Sequence, residues 1–291
     1  MYPYGMKPDL SILVAAIIFG SSGFFIKTVD LPVSTITFFR MAVPFGFISL
    51  FFVFRKKTFP SFTDSLMLIA SVLNAVRLFF YFAGYTFGTI STTVILLYTW
   101  PVFATLWSVI FMGESLTMYR VFFFFSAVLG VVLINLNMVL SLGDQHLVGV
   151  ICILLSSLIY SMTIVMFKKR SLNYDPLEIV WFQNGVGALV FLPFIVLNRP
   201  FPMAWQSSLA GCYAFLIGVI GFGMFFSGLK NIDASKASFL TYIEIVSAVA
   251  FGVLVFGERL TWNVLVGGVL VLLSSLAFSL ESKARKTILK H

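Results

Sequence analysis

Residues 90–117 read ISTTVILLYTWPVFATLWSVIFMGESLT, and residues 234–261, which lie 144 positions later, read ASKASFLTYIEIVSAVAFGVLVFGERLT. Ten of the 28 aligned positions are identical, and both copies end in Gly-Glu-x-Leu-Thr. The shared residues of the first copy are Ser91, Leu96, Tyr98, Val102, Ala104, Val109, Gly113, Glu114, Leu116 and Thr117. A similar offset of 143 lays residues 36–40 on residues 179–183, so that Arg40 aligns with Gln183. These matches indicate two copies of one structural unit.

The amino-acid composition excludes a soluble protein. Of the 291 residues, 60% are hydrophobic and only 10% are charged, whereas soluble domains carry about 25% charged residues. So few charges cannot cover the surface of a soluble globule of this size. A soluble enzyme, a nucleic-acid-binding protein and a disordered chain are therefore excluded, and a polytopic membrane protein remains.

Ten apolar runs are long enough to cross a bilayer, which requires about 20 residues per helix. They cover residues 10–28, 33–54, 65–87, 90–112, 119–137, 147–167, 175–197, 205–228, 234–256 and 262–280. The sequence therefore predicts an all-α polytopic membrane protein with ten transmembrane helices joined by short loops.

Lys and Arg residues are distributed unevenly between alternate loops. If the N-terminus is placed inside, 14 of them lie in inner segments and three, Lys27, Arg199 and Arg259, lie in outer loops. Because cytoplasmic loops carry the excess of positive charge, both termini are predicted to be cytoplasmic. The same distribution explains the net charge of +8 without a nucleic-acid partner.

The two copies divide the chain into residues 1–140 and residues 141–291, the second of which ends in a short basic tail. Each unit contains five predicted spans, and an odd number of spans inverts the second copy in the membrane. Inverted repeats are typical of secondary transporters, in which the substrate site lies near the bilayer midplane between the repeats.

Four motifs carry a resemblance to a known family. They are Phe19-Gly20-Ser21-Ser22, Phe38-Phe39-Arg40, Phe111-Met112-Gly113-Glu114-Ser115-Leu116-Thr117 and Val255-Phe256-Gly257-Glu258-Arg259-Leu260-Thr261. With these motifs and its five-plus-five spans, essentially the whole chain resembles the EamA-like family of the drug/metabolite transporter superfamily. The resemblance implies metabolite transport, often amino-acid export, through a cavity lined mainly by spans 1, 3, 4, 6, 8 and 9. It does not fix the substrate.

Three charged side chains lie at membrane depth, away from the ends of the predicted spans: Arg40, Arg77 and Glu244. Charges at this depth are costly and mark functional sites by default. At about 1.5 Å per residue, Arg77 lies roughly 18 Å and Glu244 roughly 15 Å from the inner face of a hydrocarbon core about 30 Å thick. Asn74, Arg77 and Tyr81 are spaced three or four residues apart and therefore share one helix face.

We interpret Arg77 and Glu244 as the two ends of a site for a zwitterion. The planar guanidinium fork of Arg77 suits a carboxylate, and Glu244 would meet an ammonium group or another cation. Two alternatives stay open. Either the two charges pair only with each other, or Glu244 carries a proton, because burial favours the neutral form of a carboxyl group.

Polar aromatic side chains at midplane depth require partners and are candidates for the cavity wall. An aromatic wall beside a carboxylate would also suit a cationic group. The residues predicted to bind substrate are Arg77, Glu244, Tyr98, Trp100, Asn74, Tyr81, Tyr160, Tyr242 and Ser22. For Ser22, close packing of helices is the alternative role.

Other residues are assigned to gating or to structure. Pro101 removes a backbone hydrogen bond in the fourth span and is predicted to form a kink at a gate. Arg40 and its repeat equivalent Gln183 are assigned structural or gating roles. Glu114 and Glu258 lie at span ends and are assigned to turn and cap chemistry.

The predicted function is that of a multi-pass secondary transporter in the bacterial inner membrane. It would move a small amphipathic metabolite, an amino acid or an amino-acid derivative, by alternating access. The alternative substrate is a cationic or nucleoside-containing metabolite, such as S-adenosylmethionine or a quaternary amine. A remote alternative is an intramembrane enzyme that acts on lipid, but every aspartate lies at a span end or in a loop and none forms a catalytic pair.

The expected partners are the metabolite, membrane lipids and a coupling proton or ion. The sequence contains no glycine-rich phosphate loop, so a gradient rather than ATP is expected to drive transport. With only two histidines and two cysteines, the chain is expected to hold neither a metal ion nor a cofactor.

Overall fold

The computed structural model describes residues 7–60, 63–100, 102–104, 107, 118–134, 145–170, 174–197, 201–229 and 240–288. All regular secondary structure within these ranges is helical. Six segments are long and apolar enough to cross a membrane: Pro8–Val29, Val33–Phe54, Ser65–Phe87, Gln145–Phe167, Leu177–Leu197 and Ala204–Phe225. The prediction of an all-α, multi-pass integral membrane protein is therefore confirmed. The other four predicted spans overlap shorter apolar helices, so the total of ten stays a prediction.

The helices are numbered here in chain order. They are α1 Pro8–Gly20, α2 Ser22–Val29, α3 Val33–Phe54, α4 Ser65–Phe87, α5 Ile90–Leu97, α6 Met118–Ile134, α7 Gln145–Arg170, α8 Pro176–Leu197, α9 Ala204–Phe215, α10 Phe222–Leu229, α11 Ile243–Phe256 and α12 Trp262–Ile288. A π-helical segment, Leu216–Gly221, connects α9 to α10.

Local sequence signals set several helix ends. Asp64 accepts hydrogen bonds from two backbone N–H groups in the first turn of α4, at 3.0 and 3.1 Å. The Thr89 hydroxyl caps the start of α5 in the same way, at 3.1 Å. Side-chain oxygens at these positions satisfy backbone donors that the helix itself leaves unpaired. At the end of α11, Gly257 adopts a left-handed conformation with φ of 64°, which favours glycine.

Helices that are distant in sequence pack in pairs: α4 on α7, α6 on α12, α3 on α8 and α1 on α11. The α6–α12 contact is close because glycines face each other. A Cβ atom on Gly130 would lie 2.6 Å from the Gly267 carbonyl oxygen, and one on Gly267 would lie 2.5 Å from the Gly130 carbonyl oxygen. Small residues of this kind allow helix backbones to approach closely in a membrane.

The backbone is irregular at four places that become important for the site. Ser21 separates α1 from α2, α5 ends at Tyr98, the π-helical segment Leu216–Gly221 interrupts the helix after α9, and a turn at Tyr242 precedes α11. At membrane depth, irregular backbone requires partners within the protein or a polar cavity. The Leu97 carbonyl at the end of α5 has such a partner, because the Ser157 hydroxyl of α7 donates to it at 2.8 Å.

Candidate substrate site

Glu244 lies beside the turn that precedes α11 and is held by Tyr98 from the end of α5. The Tyr98 hydroxyl lies 2.9 Å from Glu244 Oε2 and 2.9 Å from the Thr241 carbonyl oxygen. The turn makes that carbonyl available, because the Ile245 N–H donates to the Tyr242 carbonyl instead, at 3.1 Å. The Tyr242 ring packs on the Tyr98 ring with centroids 5.0 Å apart. The helix interruption and the predicted aromatic residues therefore meet at one carboxylate.

Helix α1 approaches the backbone of Glu244 at Gly20. A Cβ atom on Gly20 would lie 2.8 Å from the Glu244 carbonyl oxygen and would overlap the Ser247 hydroxyl. Only glycine fits this contact without movement of α1 or α11. The Gly20-Ser21-Ser22 motif thus fixes the distance between the interruption of the first span and Glu244.

We expect Gly20→Ala to lower the unfolding free energy by about 1–3 kcal/mol, the usual cost of overpacking a tight contact. The melting temperature of the purified protein would measure the change. Gly46→Ala is the matched control, because a Cβ atom at Gly46 would meet nothing within 4 Å. Equal melting temperatures for the two variants would contradict the tight α1–α11 contact.

Arg77 lies on α4 and is oriented by a chain of polar side chains. Its Nε atom donates to Asn74 Oδ1 at 3.0 Å, and Asn74 Nδ2 donates to Gln183 Oε1 on α8 at 3.2 Å. The guanidinium carbon lies 4.6 Å from the centroid of the Tyr160 ring on α7. Trp100 packs edge-on against that ring, with centroids 5.5 Å apart. Gln183, assigned to structure or gating, therefore supports the residue that orients Arg77.

Arg77 and Glu244 are both half-buried, and within the described ranges no ion pair joins them. The guanidinium uses Nε for Asn74, and its two Nη groups have no hydrogen-bond partner among the described residues. Glu244 likewise receives a described hydrogen bond on only one of its oxygens, from Tyr98. These contacts therefore do not show the direct pairing of Arg77 with Glu244 that was one alternative. Each charge keeps unoccupied hydrogen-bonding capacity.

Tyrosines and Ser22 fill the region between the charged groups. The Ser22 hydroxyl donates to the Phe19 carbonyl at 2.6 Å, and its oxygen lies close to the Tyr81 and Tyr213 hydroxyls. The Tyr81 and Tyr85 rings pack edge-on with centroids 5.0 Å apart. Ser22, predicted from its depth, therefore touches the aromatic wall and also lies at the α1–α2 junction.

Arg40 reaches the same region from α3. It interacts electrostatically with Tyr213, its guanidinium carbon lies 5.4 Å from the Phe222 ring centroid, and only 6% of the residue is exposed. We call the set Arg40, Arg77, Glu244, Ser22, Tyr81, Tyr85, Tyr98, Tyr160 and Tyr213 the central polar cluster. Pro101, predicted to kink a gate, lies outside the described residues.

Sequence reasoning missed Tyr213, Tyr85 and the Thr241 carbonyl. Tyr213 is the tenth residue of α9, deep within a predicted span, so the depth argument applied to Tyr98 would have found it. No sequence pattern predicts the role of the Thr241 carbonyl. It is available to accept a hydrogen bond only because of the turn at Tyr242, and the apolar sequence around it does not predict that turn.

A second carboxylate, that of Glu258, joins distant parts of the chain. Glu258 Oε1 accepts from the Ile90 N–H at 2.6 Å, and Oε2 accepts from the Ser91 N–H at 3.0 Å and from the Ser91 hydroxyl at 2.7 Å. Lys27 Nζ lies 4.0 Å from Oε1. The predicted capping role agrees with these contacts, but the capped helix is α5 of the other half of the chain. We call this contact the Glu258 clasp.

The chain resembles known transporters over most of its length. The model of the EamA-like transporter family matches residues 6–136 and 147–280. An uncharacterised transporter of Archaeoglobus fulgidus is 27% identical over 266 residues, which cover 91% of this chain and 93% of that protein. The pseudopaline exporter CntI of Pseudomonas aeruginosa is 25% identical over 258 residues, which cover 87% and 88% of the two chains. One crystal structure superposes with a TM-score of 0.62 at 16% identity, over 94% of this chain and 98% of that one, which shows a shared fold.

Proposed function

The chain belongs to the EamA-like transporter family, and from that premise we propose that it is a secondary transporter of an amino acid or amino-acid derivative in the bacterial inner membrane. Its relatives are named as transporters, which agrees with the prediction that the protein is not an enzyme. The observation that carries the substrate class is the pair Arg77 and Glu244, each half-buried within a span and neither paired with the other in the described part of the chain.

The free energy cost of burying these two charges supports a ligand between them. Removing an ion from water costs several kcal/mol even after relaxation of the protein. A zwitterion offsets both costs at once, because its carboxylate meets the Nη groups of Arg77 and its ammonium group meets Glu244. Asn74 and Tyr160 hold the guanidinium in place, so that its fork is ready for a planar carboxylate.

The helix interruptions support alternating access by two inverted repeats. The interruptions at Tyr98 and Tyr242 lie at aligned positions of the 144-residue repeat, and the two rings are in contact. The two family matches fall within residues 1–140 and 141–291, the proposed repeats. In this proposal the repeats rock about the site, as interrupted helices allow in other transporters. Both termini face the cytoplasm, and a proton or ion gradient supplies the energy.

A thermal-shift screen of the purified full-length protein tests the proposal. The ligands are amino acids, S-adenosylmethionine, choline-like amines and nucleosides, and the proteins are wild type, Arg77→Gln and Glu244→Gln. We expect a zwitterion to raise the melting temperature of the wild type and of neither variant. Arg55→Gln and Glu178→Gln, at the ends of α3 and α8, are matched controls that should respond like the wild type. Equal stabilisation of all five proteins by the zwitterion would overturn the site.

A cationic substrate is the second candidate, favoured by the contact between the Tyr98 and Tyr242 rings beside Glu244. Aromatic faces next to a carboxylate bind quaternary amines through cation–π attraction. This candidate makes a different prediction for the same screen. A choline-like amine would stabilise wild type and Arg77→Gln alike but would fail to stabilise Glu244→Gln.

A further inference from the structure

Arg40 brings a second guanidinium group into the central polar cluster. It is buried against Tyr213 and Phe222, and within the described residues it forms no ion pair with a carboxylate. A packing role alone would not require a charge, because a neutral side chain could fill the same space at a lower desolvation cost.

Arg40 and Arg77 act on the same part of the cluster. Both interact electrostatically with Tyr81 and Tyr213, and they also interact with each other. Two like charges in a region of low dielectric repel, and the positive potential that they create attracts anions. Glu244 is the one carboxylate that the described residues contribute to the cluster, so its ionised side chains sum to a net charge of +1.

We propose that the transported molecule is an amino dicarboxylate, with one carboxylate bound at Arg77, the second at Arg40 and the ammonium group at Glu244. This inference rests on the proposed function and narrows its substrate class. An amino dicarboxylate carries two negative charges and one positive charge, which complements the two guanidinium groups and the one carboxylate of the cluster.

The π-helical segment supports the inference because it fixes the position of the Arg40 guanidinium group from one side. A Cβ atom on Gly218 would lie 3.0 Å from Arg40 Nη1, so any larger residue would press on the guanidinium group. A Cβ atom on Gly218 would also overlap Pro44, so only glycine lets the segment pack this closely on Arg40. Arg40 interacts electrostatically with Tyr213 and Tyr81, the same two tyrosines that interact with Arg77.

Dissociation constants of aspartate, glutamate, alanine and succinate for the purified full-length protein test the inference. We expect wild type to bind the two amino dicarboxylates about tenfold more tightly than alanine, the effect of one further charge-assisted hydrogen bond. Succinate, which lacks the ammonium group, should bind more weakly than aspartate. Arg40→Gln should bind aspartate and alanine with equal affinity, whereas Arg77→Gln should lose affinity for both.

The outcomes separate the two proposals. Equal affinities of the wild type for aspartate and alanine, a comparison that needs no variant to fold, overturn the amino dicarboxylate but leave a zwitterion transporter intact. A tenfold preference that survives in Arg40→Gln also overturns the role of Arg40. If the wild type binds none of the amino acids, the proposed function itself is wrong. Arg40→Lys, which keeps the charge but loses the fork, should retain part of the preference.

Discussion

Replacing Glu258 by alanine is expected to lower the free energy of unfolding by about 3–5 kcal/mol, because it leaves two backbone donors without their acceptor at about 1–3 kcal/mol each. The Glu258 side chain is only 9% exposed and accepts from three donors at the start of α5. Its loss leaves the Ile90 and Ser91 N–H groups without their acceptor. It also separates the end of α11 from α5, two helices that belong to different halves of the chain.

The melting temperature of purified Glu258→Ala would measure this loss. Glu178→Ala is the matched control, since Glu178 makes one exposed bond, at 2.8 Å, to the backbone only three residues away. Its effect should stay within about 0.5 kcal/mol, as for most surface substitutions. Gly252→Ala provides an independent variant, because a Cβ atom there would lie 2.5 Å from Glu258 Oε2 and 2.9 Å from the Ser91 hydroxyl. If Glu258→Ala and Glu178→Ala had the same melting temperature, the Glu258 clasp would contribute nothing to stability.

Tyr98→Phe is the second substitution with a large expected effect. It keeps the ring and removes the hydroxyl that lies 2.9 Å from both Glu244 and the Thr241 carbonyl. The hydroxyl carries a single proton that these two acceptors share, so the expected loss of stability is about 1–3 kcal/mol, the usual cost of leaving a buried acceptor without its donor. Because the same hydroxyl orients Glu244, ligand binding should weaken as well.

Tyr242→Phe is a closely matched stability control for this prediction. It removes a tyrosine hydroxyl at the aligned position of the repeat, and that hydroxyl has no hydrogen-bond partner among the described residues. The melting temperature of Tyr98→Phe without ligand should therefore fall well below that of Tyr242→Phe. Equal decreases would show that the ring contact, rather than the Tyr98 hydroxyl, stabilises the turn before α11.

The class of the protein and one face of the site could be predicted from the sequence. Composition and apolar runs predict an all-α membrane protein, and the spacing of Asn74 and Arg77 predicts their contact, which the structure has at 3.0 Å. Both inferences depend on local sequence alone. A charge at membrane depth is equally visible, because it stands out in an apolar span.

The contacts between helices could not be predicted. Helix periodicity fixes rotation only when polar and apolar faces differ, and these helices are apolar on nearly all sides. The sequence therefore did not indicate that Tyr98 bonds Glu244, or that Glu258 reaches back 168 positions to Ile90. The π-helical segment Leu216–Gly221 likewise packs against α1 and α3. Its glycines allow this close packing, but their presence in the sequence does not predict it.

The four interruptions at Ser21, Tyr98, Leu216–Gly221 and Tyr242 are hinges, at which rigid helix segments can change their angle. In the first span, α1 and α2 are two stiff rods that meet at Ser21, next to Ser22 of the central polar cluster. The 13 residues of α1 form a rod about 20 Å long, and a tilt of about 10° at the joint moves its far end by roughly 3 Å. Groups at the joint, such as Ser22, barely move during such a tilt. A ligand bound beside this hinge would therefore keep its contacts while the far end of α1 moves far enough to open or close a passage.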